Sequence, residues 1–199
     1  KNDISYANEG INDCPENYMF HFKKATILAG EHNFSEALIY YNNALKLQPN
    51  RPQILTNRGI VYVELGQKDK AINDFNVVLN IEFNSYVLLT RCIAYQRFDD
   101  FENALKDLAT LKKCCAREIP KGLEEEIIKK WNLSIFSQIN EQIQKEPNNA
   151  ILYVNRAKFY MDRRMGREAL ADLKKACELE PDNKEFKSYY NELNSTFPH

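Results

Sequence analysis

The chain has 199 residues, 27 Lys and Arg against 28 Asp and Glu, a formal net charge of −1 and 44% apolar content, the composition of one folded domain or two small ones. Balanced charge gives no electrostatic reason to seek nucleic acid or an anionic membrane as partner, and no apolar run approaches the roughly 18 residues of a membrane helix. Residues 1–13 are too polar for a signal peptide, and five cysteines (Cys14, Cys92, Cys114, Cys115, Cys177) in no framework spacing point to a reduced, intracellular setting.

Six Gly and seven Pro leave little material for β-turns, so helices are expected throughout. Lys1 rather than Met opens the chain, which therefore reads as a piece of something longer. Residues 1–16 are expected to end a preceding repeat or to cap the array, because Ile4 to Cys14 runs into Pro15 in the register of later helices. From there a period near 34 residues organises the sequence. Prolines followed by two polar residues stand at Pro15, Pro49, Pro147 and Pro181, and the first and last pairs are each 34 residues apart. Independently, Ala37, Ala71, Ala104 and Ala169 open similar apolar-polar segments. Upstream of them lie the small residues Ala25, Gly59, Cys92 and Ala157, each followed three positions later by Leu28, Tyr62, Tyr95 or Tyr160. The pattern predicts helix pairs at 17–30 and 34–47, 52–65 and 68–81, 85–98 and 101–114, and 150–163 and 166–179. Ser35 and Asp182 are expected near helix starts as caps, and Gly66 at a helix end.

Between 118 and 149 the spacing allows one repeat about three residues short, with Ile135 in place of the signature alanine. Leu123, Ile127, Ile128, Trp131, Ile135, Phe136, Ile139 and Ile143 recur at helical spacing, which suits a hairpin or one long helix. A degenerate hairpin is expected, because neighbouring repeats need a matching surface. Residues 182–199 predict a closing amphipathic helix with Phe186, Tyr189, Tyr190, Leu193 and Phe197 toward one face.

These residues resemble the tetratricopeptide repeat: small residue, Tyr, Ala, an aromatic four positions later, then Pro. Gly59, Tyr62, Gly66, Ala71 and Phe75 give the clearest copy. The resemblance implies an all-α, right-handed superhelical solenoid of antiparallel helix hairpins, with about five repeats at 17–50, 51–84, 85–117, 118–149 and 150–181. It also implies a non-catalytic scaffold or adaptor that binds a peptide or partner protein on its concave face. By register the contact residues are Phe22 and Thr26, then Gln53, Asn57 and Ile60, then Tyr86, Leu89, Thr90 and Ile93, then Val154, Asn155 and Lys158. Asn57 and Asn155 are equivalent, and a side-chain amide there can read a passing backbone.

Family members that clamp a chaperone's C-terminal carboxylate use Lys, Asn and Arg at five places. Asn57 matches one, while Phe22, Thr26, Tyr86 and Thr90 occupy the others. Two further readings accompany the adaptor: a targeting arm of a larger enzyme, similar to the sugar transferase with asparagines along its inner face, and a structural component of a large complex. Arg58, Arg91 and Arg156 each precede an aspartate by 16 residues (Asp74, Asp107, Asp172), which predicts an ion pair within each hairpin. A carboxylate-gripping arginine row is the alternative.

His21, His32 and His199 make no triad or metal spacing with Cys or Asp, and adjacent Cys114 and Cys115 diverge on a helix, so no cofactor or metal is expected. Asn33, Asn132 and Asn194 head Asn-x-Ser/Thr sequences that occur by chance at this asparagine content and carry no argument for secretion.

Overall fold

The helical pairs follow from where the sequence can turn. A computed structural model describes residues 3–196, which contain eleven α-helices and no strand; Phe197 and His199 lie outside the described residues. The helices are α1 (Asp3–Asp13), α2 (Tyr18–Gly30), α3 (Phe34–Leu47), α4 (Pro52–Glu64), α5 (Lys68–Ile81), α6 (Ser85–Arg97), α7 (Phe101–Cys114), α8 (Leu123–Lys145), α9 (Ala150–Asp162), α10 (Gly166–Leu179) and α11 (Lys184–Thr196). None of them is long and apolar enough to cross a membrane. The chain divides into two compact units, Lys1–Ile128 and Lys129–His199.

In unit 1 the hairpins are α2/α3, α4/α5 and α6/α7, and each second helix packs on the first helix of the next pair; α1 packs on α2. The turn inside every hairpin places one residue in the left-handed region: His32, Gly66, Asp99, and Arg164 in unit 2, with φ of 60°, 71°, 56° and 58°. Each turn closes with two backbone bonds onto the last turn of the preceding helix, as in Gly66 N to Val63 O and Gln67 N to Tyr62 O. Glycine occupies this place once, as expected for Gly66; the other three carry the steric cost of a Cβ there.

Two caps differ from expectation. Ser35 lies inside α3, with Asn33 at the cap position. Asn183, not Asp182, accepts from the amides of Glu185 and Phe186 at the start of α11. Both residues stand directly before their helix; Asn183 reaches the amides two and three residues on, whereas the Asn33 side chain donates to Glu36 at 2.9 Å instead of capping.

Small residues set the helix spacing. Ala25, Ala37, Ala71, Ala104, Ala157 and Ala169 are fully buried; Tyr41 packs in one cluster with Ala25 and Ala37, and Phe75 in another with Ala71. A methyl on Gly59 would stand 2.6 Å from the Phe75 ring, so the glycine is what lets α4 and α5 approach. Unit 2 repeats the plan with α9/α10, and α11 packs on α10, burying Phe186 and Leu193.

Residues 118–149 do not form the expected hairpin. A 3₁₀ turn at Ala116–Glu118 and a left-handed Gly122 precede one 23-residue helix, α8. No glycine or proline interrupts positions 123–145, and once nucleated a helix gains a hydrogen bond with each added residue. Only Leu123 and Ile127 are buried, whereas Ile128, Leu133 and Ile135 stay exposed. In unit 2 the later part of α8 supplies Phe136, whose ring stacks on Phe159 at 4.5 Å.

A candidate partner-binding face

The orientation of the first helices depends on three copies of one side-chain lock. Arg58 donates from Nε and Nη2 to Asp74 at 2.8 and 2.7 Å and from Nη1 to Asn42 Oδ1 at 2.7 Å. Arg91 does the same with Asp107 (2.9 and 2.7 Å) and Asn76, and Arg156 with Asp172 (2.7 and 2.7 Å) and Asn140 (2.8 Å). The ion pairs within hairpins are therefore present, and the guanidiniums are spent on buried aspartates instead of forming a row that grips a ligand. Burial opposes the charge of Arg58 and Arg91, but hydrogen bonds and the aspartate charge outweigh it and their pKa values rise; for Arg156 the bond to Asp172 leads. The asparagine was not legible beside the Arg–Asp pairs, although Asn42 and Asn76 are themselves 34 apart. In the first hairpin Lys24 Nζ donates to Tyr40 at 2.7 Å over the same spacing.

With the helices so held, Phe22 and Thr26 lie on α2, Gln53, Asn57 and Ile60 on α4, and Tyr86, Leu89, Thr90 and Ile93 on α6, all in unit 1. Tyr41, from α3, sits beneath three of them. Its hydroxyl donates to Thr26 at 3.4 Å, it bonds the Asn57 side chain, and its ring lies 6.1 Å from Phe22. Burial raises the Tyr41 pKa despite both bonds, so the phenol is neutral. Thr26 and Thr90 donate back to the carbonyls of Phe22 and Tyr86. Ile60 is half-buried against the core cluster that contains Tyr62, Phe75 and Val78.

Gln53 and Asn57 meet Tyr86 across a cleft of about 380 Å³ completed by Pro52, Thr56, Glu82, Asn84 and Val87. Tyr86 is 60% exposed, and Ile93 lies two turns along the same helix, 37% exposed. Asn84 caps α6 through Val87 N at 3.1 Å. In unit 2, Asn155 and Lys158 are exposed on α9, but Val154 is 4% exposed: it packs in the core and reaches only the floor of a cleft, not the open face expected for it. At helix spacing its neighbour Asn155 takes the outward direction.

Residues 40–73 match the model of the tetratricopeptide repeat family. A tetratricopeptide repeat protein from Parabacteroides merdae ATCC 43184 superposes over 96% of this chain and 90% of its own, with a TM-score of 0.58 at 21% identity. The fold is that of the tetratricopeptide repeat family. YrrB, a tetratricopeptide protein with an unusual peptide-binding site, covers 95% of this chain and 99% of its own at a TM-score of 0.53 and 18% identity. In sequence, the Hsp70-Hsp90 organizing protein of Triticum aestivum is 26% identical over 191 residues, 75% of this chain and 33% of the relative. The chain thus spans about a third of that relative's length.

The remaining reactive groups of the chain have structural surroundings. His21 is buried, its Nε2 at 2.9 Å from the Pro15 carbonyl and its ring stacked on Tyr40, while His32 occupies a hairpin turn. Burial pushes the Cys92 thiol up to about 12, which keeps it protonated and unreactive at neutral pH. Hydrogen bonding with Cys114 raises the Cys115 thiol. No group of three or more His, Cys, Asp or Glu among the described residues could hold a metal ion.

Proposed function

We propose that this chain is a non-catalytic adaptor that holds a peptide segment of a partner protein on the α2, α4 and α6 face of unit 1, in an intracellular compartment that keeps its cysteines reduced. The observation that carries this reading is the cleft where Gln53 and Asn57 face the exposed ring of Tyr86. An aromatic ring offers large contact area at little entropic cost, and the Gln53 amide can bond both an N–H and a C=O of an extended backbone. A surface preorganised by the arginine locks leaves only the ligand to be ordered on binding.

Gln53 and Tyr86 are exposed, so Gln53→Ala/Tyr86→Ala leaves the helices intact. Affinity capture with wild type and this double variant, followed by mass identification, should return a partner that the variant loses. A partner held equally by both would move the interface to the convex face and favour the structural-component reading. Glu82 is the single charged residue of the cleft lining and is exposed, hence well screened, so binding should change little between low and high salt.

The likeness to a chaperone-organising protein favours a second reading, binding of an acidic chaperone tail. Phe22, Thr26, Tyr86 and Thr90 at four clamp positions speak against it. An acidic peptide with a free C-terminal carboxylate should bind no better than its amidated form; a tenfold preference for the free acid would restore this reading.

A further inference from the structure

Unit 2 has a second cleft, of about 450 Å³, whose two walls are built alike. Val154, Ala157, Lys158 and Met161 form one stripe along α9 and Tyr189, Glu192, Leu193 and Thr196 the other along α11, both at helical i, i+3, i+4, i+7 spacing. The floor is apolar and buried: Val154, Ala157, Leu173 and Leu193 are between 0% and 9% exposed. Four residues after the signature alanine, α3 and α5 place Tyr41 and Phe75, whereas α7 and α10 place the smaller Leu108 and Leu173; in unit 2 the space beside Leu173 lies open between α9 and α11. The rim is charged. Lys158 reaches over the Tyr189 ring at 5.6 Å, Arg164 stands exposed on its left-handed turn, and Glu192 is the single carboxylate of the lining. Two cations against one anion give the mouth a net positive charge.

We infer that this cleft is a binding site separate from the unit 1 face, and that it takes a bulky apolar side chain of a partner segment with a carboxylate beside it. The apolar floor accepts the side chain, in the size range of ligand pockets, and the Lys158 and Arg164 rim favours the neighbouring carboxylate over a cation. The site is independent of the proposed adaptor face, so either can fail alone.

The probes are acetylated, amidated hexapeptides containing Phe-Glu, Phe-Lys or Ala-Glu, titrated into the whole chain with labelled leucine methyls. The Phe-Glu peptide should shift the Leu173 and Leu193 methyls, with a Kd at least tenfold below those of the other two. Leu173→Phe should fill the space as Tyr41 does beside Ala25, keep helical circular dichroism and abolish the Leu193 shift. Lys158→Glu/Arg164→Glu, on exposed positions, should reverse the Glu-over-Lys preference. Equal binding of Phe-Glu and Phe-Lys, no methyl shift with any peptide, or shifts unchanged in Leu173→Phe would overturn the inference. So would binding of decanoate without binding of the Phe-Glu peptide, because the ligand would then be a free aliphatic acid.

Discussion

Where α3 meets α4, Tyr41 and Asn42 stand side by side: Asn42 accepts from Arg58, and Tyr41 bonds the Asn57 amide. Where α8 meets α9, Ile139 and Asn140 occupy the same two places, and Asn140 accepts from Arg156 in the same way. Isoleucine has nothing to offer the next amide, so Asn155 remains exposed. Equivalence in the repeat therefore does not mean equivalence in availability. The lock fixes the helices at both junctions; the residue preceding its asparagine decides whether the amide on the next helix is engaged or open.

The sharpest test of the shared part is Asp74→Ala, which leaves Arg58 mostly buried without its carboxylate. It should cost about 3 kcal/mol in chemical denaturation, and Asp172→Ala a similar amount if the two locks are equal. A cost below about 1 kcal/mol would make the pair behave as an exposed one. The differing part is probed by Tyr41→Phe. Losing the phenol should cost about 1 kcal/mol and change the side-chain amide resonances of Asn57, with no change at Asn155.

The hairpin turns allow a further comparison, between Arg164 and Gly66 in the same left-handed place. Arg164→Gly should stabilise by about 0.5–1 kcal/mol, relief of the left-handed strain exceeding the added chain entropy, whereas Gly66→Ala should cost about 1 kcal/mol. Opposite signs in thermal melts would show that the two turns share one geometry and differ only in residue.

The smallest effect is pH dependence. The hydrogen bond from Arg97 leads in holding Glu64 below the ordinary carboxylate range. Burial of Asp100 acts upward but is outweighed by bonds from Asn103 and Lys68. Both folded pKa values lie below the unfolded ones, so this stability is complete above the ordinary carboxylate pKa and is lost as pH falls through the depressed values. Glu64→Gln should flatten that acid limb slightly, and an unchanged limb would mean solvent screens the pair fully.

Much of this architecture was legible because the repeat fixes residue type at points of contact. The second helices α3, α5, α7 and α10 begin and end where the 34-residue pattern predicts, since the small residues that dictate close approach also dictate register. The Arg–Asp pairs were legible from a constant spacing. What escaped depended on neighbours outside the local pattern. Tyr41 beneath Asn57 comes from the preceding repeat, Val154 fell into the core, and the cleft of unit 2 is walled by α11, which lies outside the repeat pattern. The continuous α8 escaped for a different reason: its apolar spacing suits both forms, and the absence of a turn residue decided the matter.

Each arginine lock involves three helices, two from its own hairpin and one from the helix before that hairpin. Opening of α3 by thermal fluctuation takes an acceptor from Arg58 on α4, so amide hydrogen exchange in α3 and α4 should be correlated, and Asn42→Leu should uncouple them. At the other end of unit 1, Lys24 bonds Tyr40 within its own hairpin, and among the described residues no arginine lock ties α1 to α2. Packing ties α1 to α2 instead, with the Tyr6 ring 5.8 Å from Phe20 and Lys23 over Tyr6, so amide exchange in α1 should be less tightly correlated with α2 than that of α3 is with α4.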